Sequence, residues 1–510
     1  MTNALPLATT GVAGLDIILN GGLSAHHAYL VYGEPGTGKT TLAMQFMLAG
    51  VARQEKCLFL RMMLPSEEIE MMSTEHGWSL DGICMHTLGV QTVDQQIQNQ
   101  QSVFYHTEVE MHETIIQTCA LIKDMQPQRI VFDPISQLRY LSESSTQYQR
   151  QMITLIATMA EVGATVLFTS DIGDNSNKCL GIRNLFNGLI NLRHQSTSYG
   201  GERRLLQVDK MRARAYAGGW HDFKIRKGGL QVFPRLIAPD SVNSAPPPPS
   251  AASPAQFSSD IAELDQLVGG PLIGGTSTLI MGPAGSGKTL IMTLYLYHAV
   301  QHGHKVAVYL FDESTSAFLR RAKGLNLDFT TALADGRLQL HFFKAGELTI
   351  GEFFVCVRQT VDVQQAQVLM IDSLRGLEIN FPDCKIFPAI FQQLQDYLSQ
   401  CQVLTLFSLP SHRFLNAHIS ELHITYLADV VIVLMYCETK GETHRVITVP
   451  KKRYGDHGKA ILELIIKADG ITVKPQKQLF SGVLRGTPWY EKAQTMFTAD
   501  TDDDESHHGA

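Results

Sequence analysis

The sequence predicts an α/β protein built twice over, as two mostly parallel, doubly wound sheets in tandem. Three observations predict it. Blocks of the first half recur in the second, in the same order and at similar spacing. Within each half, continuous apolar runs alternate with helical stretches. A segment rich in Pro, Ser and Ala divides the 510 residues nearly in half. Runs that are apolar at every position mark strands buried on both faces, and strands alternating with helices mark a parallel sheet covered on both sides.

Each half opens on a Leu-Asp pair, Leu15-Asp16 and Leu264-Asp265. A glycine pair follows, Gly21-Gly22 and Gly269-Gly270. Next come the apolar runs AYLVYG (28–33) and STLIMG (277–282), then GEPGTGKT (33–40) and GPAGSGKT (282–289). In both halves 23 residues separate the early Asp from the Lys of the octet. The helical stretches TTLAMQFMLAG and TLIMTLYLYHAV come after. Downstream, CLFLRMM (57–63) matches VAVYLFDE (306–313), and RIVFDPI (129–135) matches VLMIDSL (368–374). ATVLFTSDI (164–172) matches QVLTLFSLP (402–410), and GLINLRH (188–194) matches VVIVLMY (430–436). RRLLQVDKMR (203–212) matches HRVITVPKKR (444–453). Duplication accounts for all of these at once.

The stretch Pro239–Gln256, PDSVNSAPPPPSAASPAQ, has no residues with which to bury a core and reads as an extended linker. Domains are therefore expected at 1–238 and 257–490. Residues 491–510 form a separate tail, nearly all acid over Asp500–Glu505 and expected to be disordered.

Composition excludes some functions. Hydrophobic residues make up 44% and charged residues 18%, as in ordinary globular proteins. Lys and Arg number 42 against 49 Asp and Glu, a net charge of −7. Wholesale coating of nucleic acid or membrane is not expected of such a chain. No apolar run has the length of a membrane span, and MTNALPLATTGVAG lacks the basic flank and apolar stretch of a signal peptide. The eight cysteines, Cys57, Cys84, Cys119, Cys179, Cys356, Cys384, Cys401 and Cys437, are widely spaced and form no CxxC pair. They read as reduced core residues of a cytoplasmic protein, without zinc-ligand spacing.

The two octets fit the phosphate-cradle pattern GxxxxGK[ST]. Glycines let backbone N–H groups converge on phosphate oxygens, the Lys reaches the β- and γ-phosphates, and the following Thr ligates magnesium. Each octet follows an apolar strand and opens a helix, the context the motif requires. The expected ATP contacts are Gly33, Gly36, Thr37, Gly38, Lys39, Thr40 and Thr41 in the first half. In the second they are Gly282, Gly285, Ser286, Gly287, Lys288, Thr289 and Leu290. A magnesium-organising acid should end a central apolar strand, and Asp133 in IVFDP and Asp372 in LMIDS fit. Thr40 with Asp133, and Thr289 with Asp372, are thus the expected Mg2+ pairs.

With both octets in tandem, the sequence resembles the KaiC family of circadian-clock ATPases, which carry two RecA-like P-loop NTPase domains in one chain. The likeness covers about residues 8–235 and 257–490. It rests on the Leu-Asp and Gly-Gly lead-ins, both P-loops, Gly77-Trp78, FDES (311–314), KMR (210–212), KKR (451–453) and FSGVLRGTP (480–488). The resemblance implies a homohexameric double ring, promoted by ATP bound between neighbouring subunits. It also implies basic residues reaching across to the neighbour's ATP: Lys210 and Arg212 in the first half, Lys451 and Arg453 in the second. Arg445, His457 and Lys459 are implied as further contacts. Charge on a phosphoryl group in transfer must be neutralised, and such residues do so.

The sequence departs from the family at the end of the second strand, where the family carries a Glu-Glu pair. In the first half the position falls on Met63-Leu64, or on Met62-Met63 with a one-residue slide. Neither accepts a proton. Glu67 and Glu68 lie further on and are expected to start a helix, favoured there by its dipole. In the second half the pair reads Asp312-Glu313. Lys39, Lys288, Asp312 and Glu313 are therefore the expected catalytic residues, with most turnover in the second half and slow hydrolysis in the first. The family's autophosphorylated Ser-Thr pair aligns with Thr425-Tyr426, so serine/threonine autokinase activity is implied, with Thr425 as first acceptor and Tyr426 and Ser420 behind it.

Three functions compete. The first is a hexameric ATPase switch with autokinase activity and an unidentified regulatory protein partner. The second is an ATP-stabilised scaffold with little chemistry, favoured by the missing Glu-Glu pair. The third is a DNA motor, disfavoured by the net charge and separable by a salt-dependent gel shift.

Overall fold

The computed structural model describes residues 6–62, 66–88, 106–140, 142, 144–171, 180–196, 201–236, 254–344, 346–379, 387–410, 425–439, 442–467, 470–475, 480–481 and 489–490. Most of the linker and all of the acidic tail lie outside them. The chain forms two compact units. The first takes in residues 1–246 with 344–364 and 379–387; the second takes in 247–343, 365–378 and 388–510.

The first unit is built on a nine-stranded sheet: β1 Ala28–Gly33, β2 Cys57–Met62, β3 Ile83–Leu88, β4 Arg129–Asp133, β5 Thr165–Ser170, β6 Gly188–Gln195, β7 Arg203–Met211, β8 Trp220–Arg226 and β9 Gly229–Phe233. In space they run β3-β2-β4-β5-β1-β6-β7-β8-β9. The six from β3 to β6 are parallel and the last three continue antiparallel. The second unit repeats this with β10 Ser277–Gly282, β11 Val306–Leu310, β12 Leu338–Phe342, β13 Val368–Asp372, β14 Leu404–Pro410, β15 Val430–Thr439, β16 Glu442–Lys452, β17 Leu462–Lys467 and β18 Gly470–Pro475. Their order, β12-β11-β13-β14-β10-β15-β16-β17-β18, is the same order position by position. The two doubly wound sheets expected from the sequence are thus present, each with an antiparallel extension.

The apolar runs are explained by burial. Every residue of β1, β4, β5, β10, β11 and β13 is buried. Two helices, α1 Lys39–Val51 and α2 Lys288–Gln301, run back across the central strands. Their inward residues, among them Met44, Phe46, Ile291 and Leu296, join the core clusters on that face.

The lead-in motifs have a structural role. Asp16 accepts hydrogen bonds from the Thr10 amide and hydroxyl, both at 2.8 Å, and Asp265 accepts from the Ser259 amide at 3.0 Å and hydroxyl at 2.7 Å. Each acid thereby ties down the chain ahead of a short helix, Ala13–Ile18 or Ala262–Val268. The glycine pair then turns the chain with positive φ: 111° and 123° at Gly21 and Gly22, 84° and 106° at Gly269 and Gly270.

The cysteine expectation needs correction. Cys57 and Cys437 are buried, and burial pushes the Cys57 thiol up to about 11. Cys84 and Cys401 are exposed, because they sit on the edge strand β3 and just beyond the helix Phe387–Gln400. The six described cysteines are free thiols, while Cys179 and Cys384 lie outside the described residues. Among the described residues no helix is long and apolar enough to cross a membrane.

Candidate nucleotide sites

Each cradle begins where a glycine ends a central strand. A Cβ on Gly33 would lie 2.1 Å from the Leu192 carbonyl oxygen, and one on Gly282 would lie 2.5 Å from that of Leu434. No other residue fits. The helices α1 and α2 are entered through Gly38 and Gly287, with φ of 100° and 106°. The free N–H groups of these helix starts open into the loop, a ready site for anions.

The lysines are held alike. Lys39 Nζ donates to the Gly33 and Glu34 carbonyls at 3.1 and 2.8 Å, and Lys288 Nζ to those of Gly282 and Pro283 at 2.9 and 2.8 Å. Burial lowers the pKa of the Lys288 ammonium, against the pull of Asp372 and Asp312. Thr37 braces the first loop by donating to the Glu34 carbonyl at 2.8 Å. The Ser286 hydroxyl is buried without a hydrogen-bond partner. Gly36 and Gly285 lie at the loop tips with φ of 78° and 74°. Thr41 and Leu290 turn inward, Thr41 toward the Met72 sulfur and Leu290 into the core, leaving only their backbone for a ligand.

The strand-end acids stand beside the cradles. The Thr169 hydroxyl donates to Asp133 Oδ1, and the Ser408 hydroxyl to Asp372 Oδ1. Burial raises the pKa of Asp133, opposed by hydrogen bonds from Thr169 and Thr40 and by the charge of Lys39. Asp133 Oδ2 is buried with no hydrogen-bond partner. An orphaned carboxylate oxygen next to the Thr40 hydroxyl suits a small hard cation that takes one or two protein oxygens and completes its shell with phosphates and water. The residues that would hold Mg2+ are Thr40 with Asp133, and Thr289 with Asp372.

The parallel register locates the missing carboxylates. Arg61 pairs with Asp133, and Leu310 pairs with Asp372. Counting on from these, Asp312 corresponds to Met63 and Glu313 to Leu64. Met63 and Leu64 lie outside the described residues, and Met62 is buried in the core. Glu67 and Glu68 occupy the first turn of the helix Ser66–His76, as expected. In the second half the two acids diverge. Asp312 accepts from the Ser373 hydroxyl at 2.6 Å, next to Asp372. Glu313 takes two hydrogen bonds from Arg321, both at 2.6 Å.

The basic residues fall into two groups. Arg445 lies against its own cradle, Nε donating to the Gly285 carbonyl at 3.3 Å with the guanidinium over the Tyr436 ring. Arg204 does the same in the first half, donating to the Gly36 carbonyl at 2.7 Å. Sequence reasoning passed over Arg204, although the pairing of RRLLQVDKMR with HRVITVPKKR sets it opposite Arg445. The other group sits at a repeated irregularity. The β6/β7 register shifts between Leu189 and Ile190, and the β15/β16 register between Val431 and Val433. Lys210 pairs with Leu189 and Lys451 with Val431, at the start of each shift, where a bulge re-aims side chains. Lys210 Nζ donates to the Arg183 carbonyl at 3.4 Å and Arg212 to that of Asn184 at 2.8 Å. Lys451 Nζ donates to three carbonyls, of Thr425, Tyr426 and Ala428, at 2.9, 3.1 and 2.7 Å. Arg453 adds the Tyr426 carbonyl at 2.8 Å and Asp429 at 3.2 Å. Burial and the adjacent arginines lower the pKa of both lysines. The His457 amide donates to Asp456, and Lys459 is exposed. Thr425 and Tyr426 share the turn that Lys451 grips, with the Tyr426 side chain exposed; Ser420 lies outside the described residues.

Comparison with known proteins gives a consistent answer. The family of KaiC ATPases matches residues 8–237 and again 257–478. The chain is 24% identical over 493 residues to the circadian clock protein KaiC3 of Synechocystis sp., covering 96% of both chains. It is also 24% identical to the circadian clock oscillator protein KaiC of Synechococcus elongatus, over 95% of this chain and 92% of that one. The corresponding protein of Acaryochloris marina is 24% identical over 94% and 90%.

Proposed function

The chain belongs to the KaiC family of ATPases, and from that premise we propose that it is a two-site, magnesium-dependent ATPase that assembles as an ATP-promoted homohexameric double ring and switches a regulatory protein partner. The observation that carries this reading is the doubled cradle. In each half a P-loop lysine, bonded to its own loop's carbonyls, stands within electrostatic reach of a strand-end aspartate. The two nucleotide-binding domains are residues 1–238 and 257–490, joined by the linker 239–256 and followed by the tail 491–510.

The halves divide the work. In the second, Asp312 orients the attacking water while Lys288 neutralises the phosphates, and Ser373 holds the Asp312 carboxylate in place. Thr289 and Asp372 would hold magnesium, which when bound would neutralise charge on the phosphate oxygens. In the first half, ATP is held by an equivalent cradle and turned over slowly, since the second strand supplies no carboxylate. Lys210, Arg212, Lys451 and Arg453 reach a neighbouring subunit's ATP on assembly. Arg445 steadies the cradle of its own chain, and His457 and Lys459 are further contacts to the neighbouring subunit's ATP. Thr425 is the phosphoacceptor, favoured over Tyr426 because its hydroxyl stays close to the gripped backbone.

A second reading, an ATP-stabilised scaffold, is favoured for the first half alone by the apolar residues at Met62–Leu64. Phosphopeptide mass spectrometry after incubation with Mg-ATP separates the two, with Lys288→Ala as the blank. Phosphate on Thr425 that vanishes in the blank supports the kinase. Its absence from Ser420, Thr425 and Tyr426, with turnover also absent, leaves the scaffold.

A further inference from the structure

We propose that Asp171 is the proton acceptor of the first half, delivered from a different strand end than the carboxylate this half lacks. The inference rests on reading the first cradle as an ATP site. Asp171 directly follows β5, the strand between the cradle strand β1 and the Asp133 strand β4. Tyr32 pairs with Ser170, so Asp171 comes level with Gly33, the first residue of the octet. One of its oxygens lies 2.7 Å from Lys39 Nζ, and the other 3.4 Å from the Ser136 hydroxyl, which donates to it. Lys39 is only 7% exposed, but the Asp171 side chain is 43% exposed. The carboxylate therefore spans the boundary between the cradle and the water above it. Asp133 also feels the charge of Lys39.

The second half has the opposite arrangement. Gly282 pairs with Pro410, so proline stands where Asp171 stands in the first half. That half keeps Asp312 at the end of β11, where the first half has no acid. Beside the strand-end pair Asp133 and Asp372, the described residues thus place a further carboxylate near each cradle, Asp171 after β5 in one half and Asp312 beyond β11 in the other. A base must come within hydrogen-bond reach of the water it deprotonates, and a group touching the P-loop ammonium is near the place of the γ-phosphate.

The chemistry follows. ATP draws Lys39 onto its phosphates and leaves the Asp171 carboxylate without its counter-charge. A water between this carboxylate and the γ-phosphate loses a proton to Asp171. Its oxygen forms the new bond to phosphorus, and the bond from phosphorus to the β,γ-bridging oxygen breaks. ADP departs with that electron pair, and the proton on Asp171 passes to solvent. Asp171 also competes with ATP for Lys39, so binding and chemistry depend on it in opposite senses.

The test uses the full chain carrying Lys288→Ala, so that the first half alone turns over, with Asp171→Asn and Asp171→Glu added singly. Affinity is read from a fluorescent ATP analogue and turnover from phosphate release. Asp171→Asn should bind ATP up to about fivefold more tightly, as expected for losing a partly exposed ion pair. Its turnover should fall at least about tenfold, and Asp171→Glu should restore part of it. Tighter binding shows that the variant is folded. Turnover unchanged in Asp171→Asn, with ATP bound, overturns this inference alone. ATP bound without any turnover in the Lys288→Ala chain also overturns it. No ATP bound at all overturns the reading of the first half as a nucleotide site, and this inference with it.

Discussion

Arg321 holds Glu313 by two hydrogen bonds of 2.6 Å each, a fork that occupies both carboxylate oxygens. Among the described residues, the neighbouring Asp312 is held at one oxygen alone, by Ser373. Two adjacent acids at one strand end therefore have different chemistry open to them. A bidentate guanidinium pair is among the stronger hydrogen-bonded arrangements and resists donating a lone pair elsewhere. Asp312→Asn should cut the turnover of the second half by about a hundredfold or more. Glu313→Gln should cost less than about tenfold, mainly by loosening the start of the helix Thr315–Lys323. Phosphate release from a Lys39→Ala chain checks both, and equal losses would refute the division of roles.

Arg204 and Arg445 each cap a cradle tip. Removing one leaves its carbonyl unbraced and takes a positive charge from beside the phosphates. Arg445→Ala should weaken ATP binding by about three- to tenfold, the range of one modest hydrogen bond. Oligomer formation at saturating ATP should be retained. Fluorescent-nucleotide titration with native mass spectrometry separates this role in cis from one between subunits.

Burial raises the folded-state pKa of Asp133 above its unfolded value. The protonated side chain therefore folds more favourably, and that advantage is lost as pH rises through the folded value. At neutral pH the ionised form is a cost to the protein without magnesium. Asp133→Asn keeps an acceptor for Thr169 and removes the charge. It should raise the melting temperature in the absence of magnesium and nucleotide by a few degrees, roughly 1 kcal/mol. The difference from wild type should shrink as pH falls toward the ordinary carboxylate range. ATP turnover by the first half should disappear in the same variant.

Arg453 and Lys451 spend their donors on the turn 425–429 in the single chain. A ligand shared by two subunits promotes assembly by mass action. Arg453→Ala should shift the ATP concentration for half-maximal oligomer upward by about tenfold. Size-exclusion chromatography across an ATP series measures this, and an unchanged midpoint would place Arg453 outside the interface.

Most of the fold was legible because its central strands are apolar at every residue and recur in two copies. The edge strand β3, ICMHTL, and the tails β8, β9, β17 and β18 were not legible in the same way. Burial alternates along β3 and β8, β17 and β18 each bury a single residue, and the exposed Gln231 interrupts β9, so no long continuous run announces them. At the site, the cradles and strand-end acids were readable because backbone geometry dictates glycine and charge chemistry dictates Lys, Thr and Asp. Asp171 was hidden, since a lone acid after an apolar run also suits a plain turn. Its value came from Lys39, 132 positions earlier in the chain. Arg321 was hidden likewise, lying eight residues beyond Glu313 on the following helix.

An ammonium has three protons to give, and Lys451 gives one to each of three carbonyls in a single turn. Its valence is full. Any anion that recruits it must do so by subtraction, leaving at least one of those peptide oxygens to find water. The residue carrying the Thr425 hydroxyl is one of the three. Its local backbone is therefore the ledger on which a distant binding event is recorded, with no need for the anion to touch it.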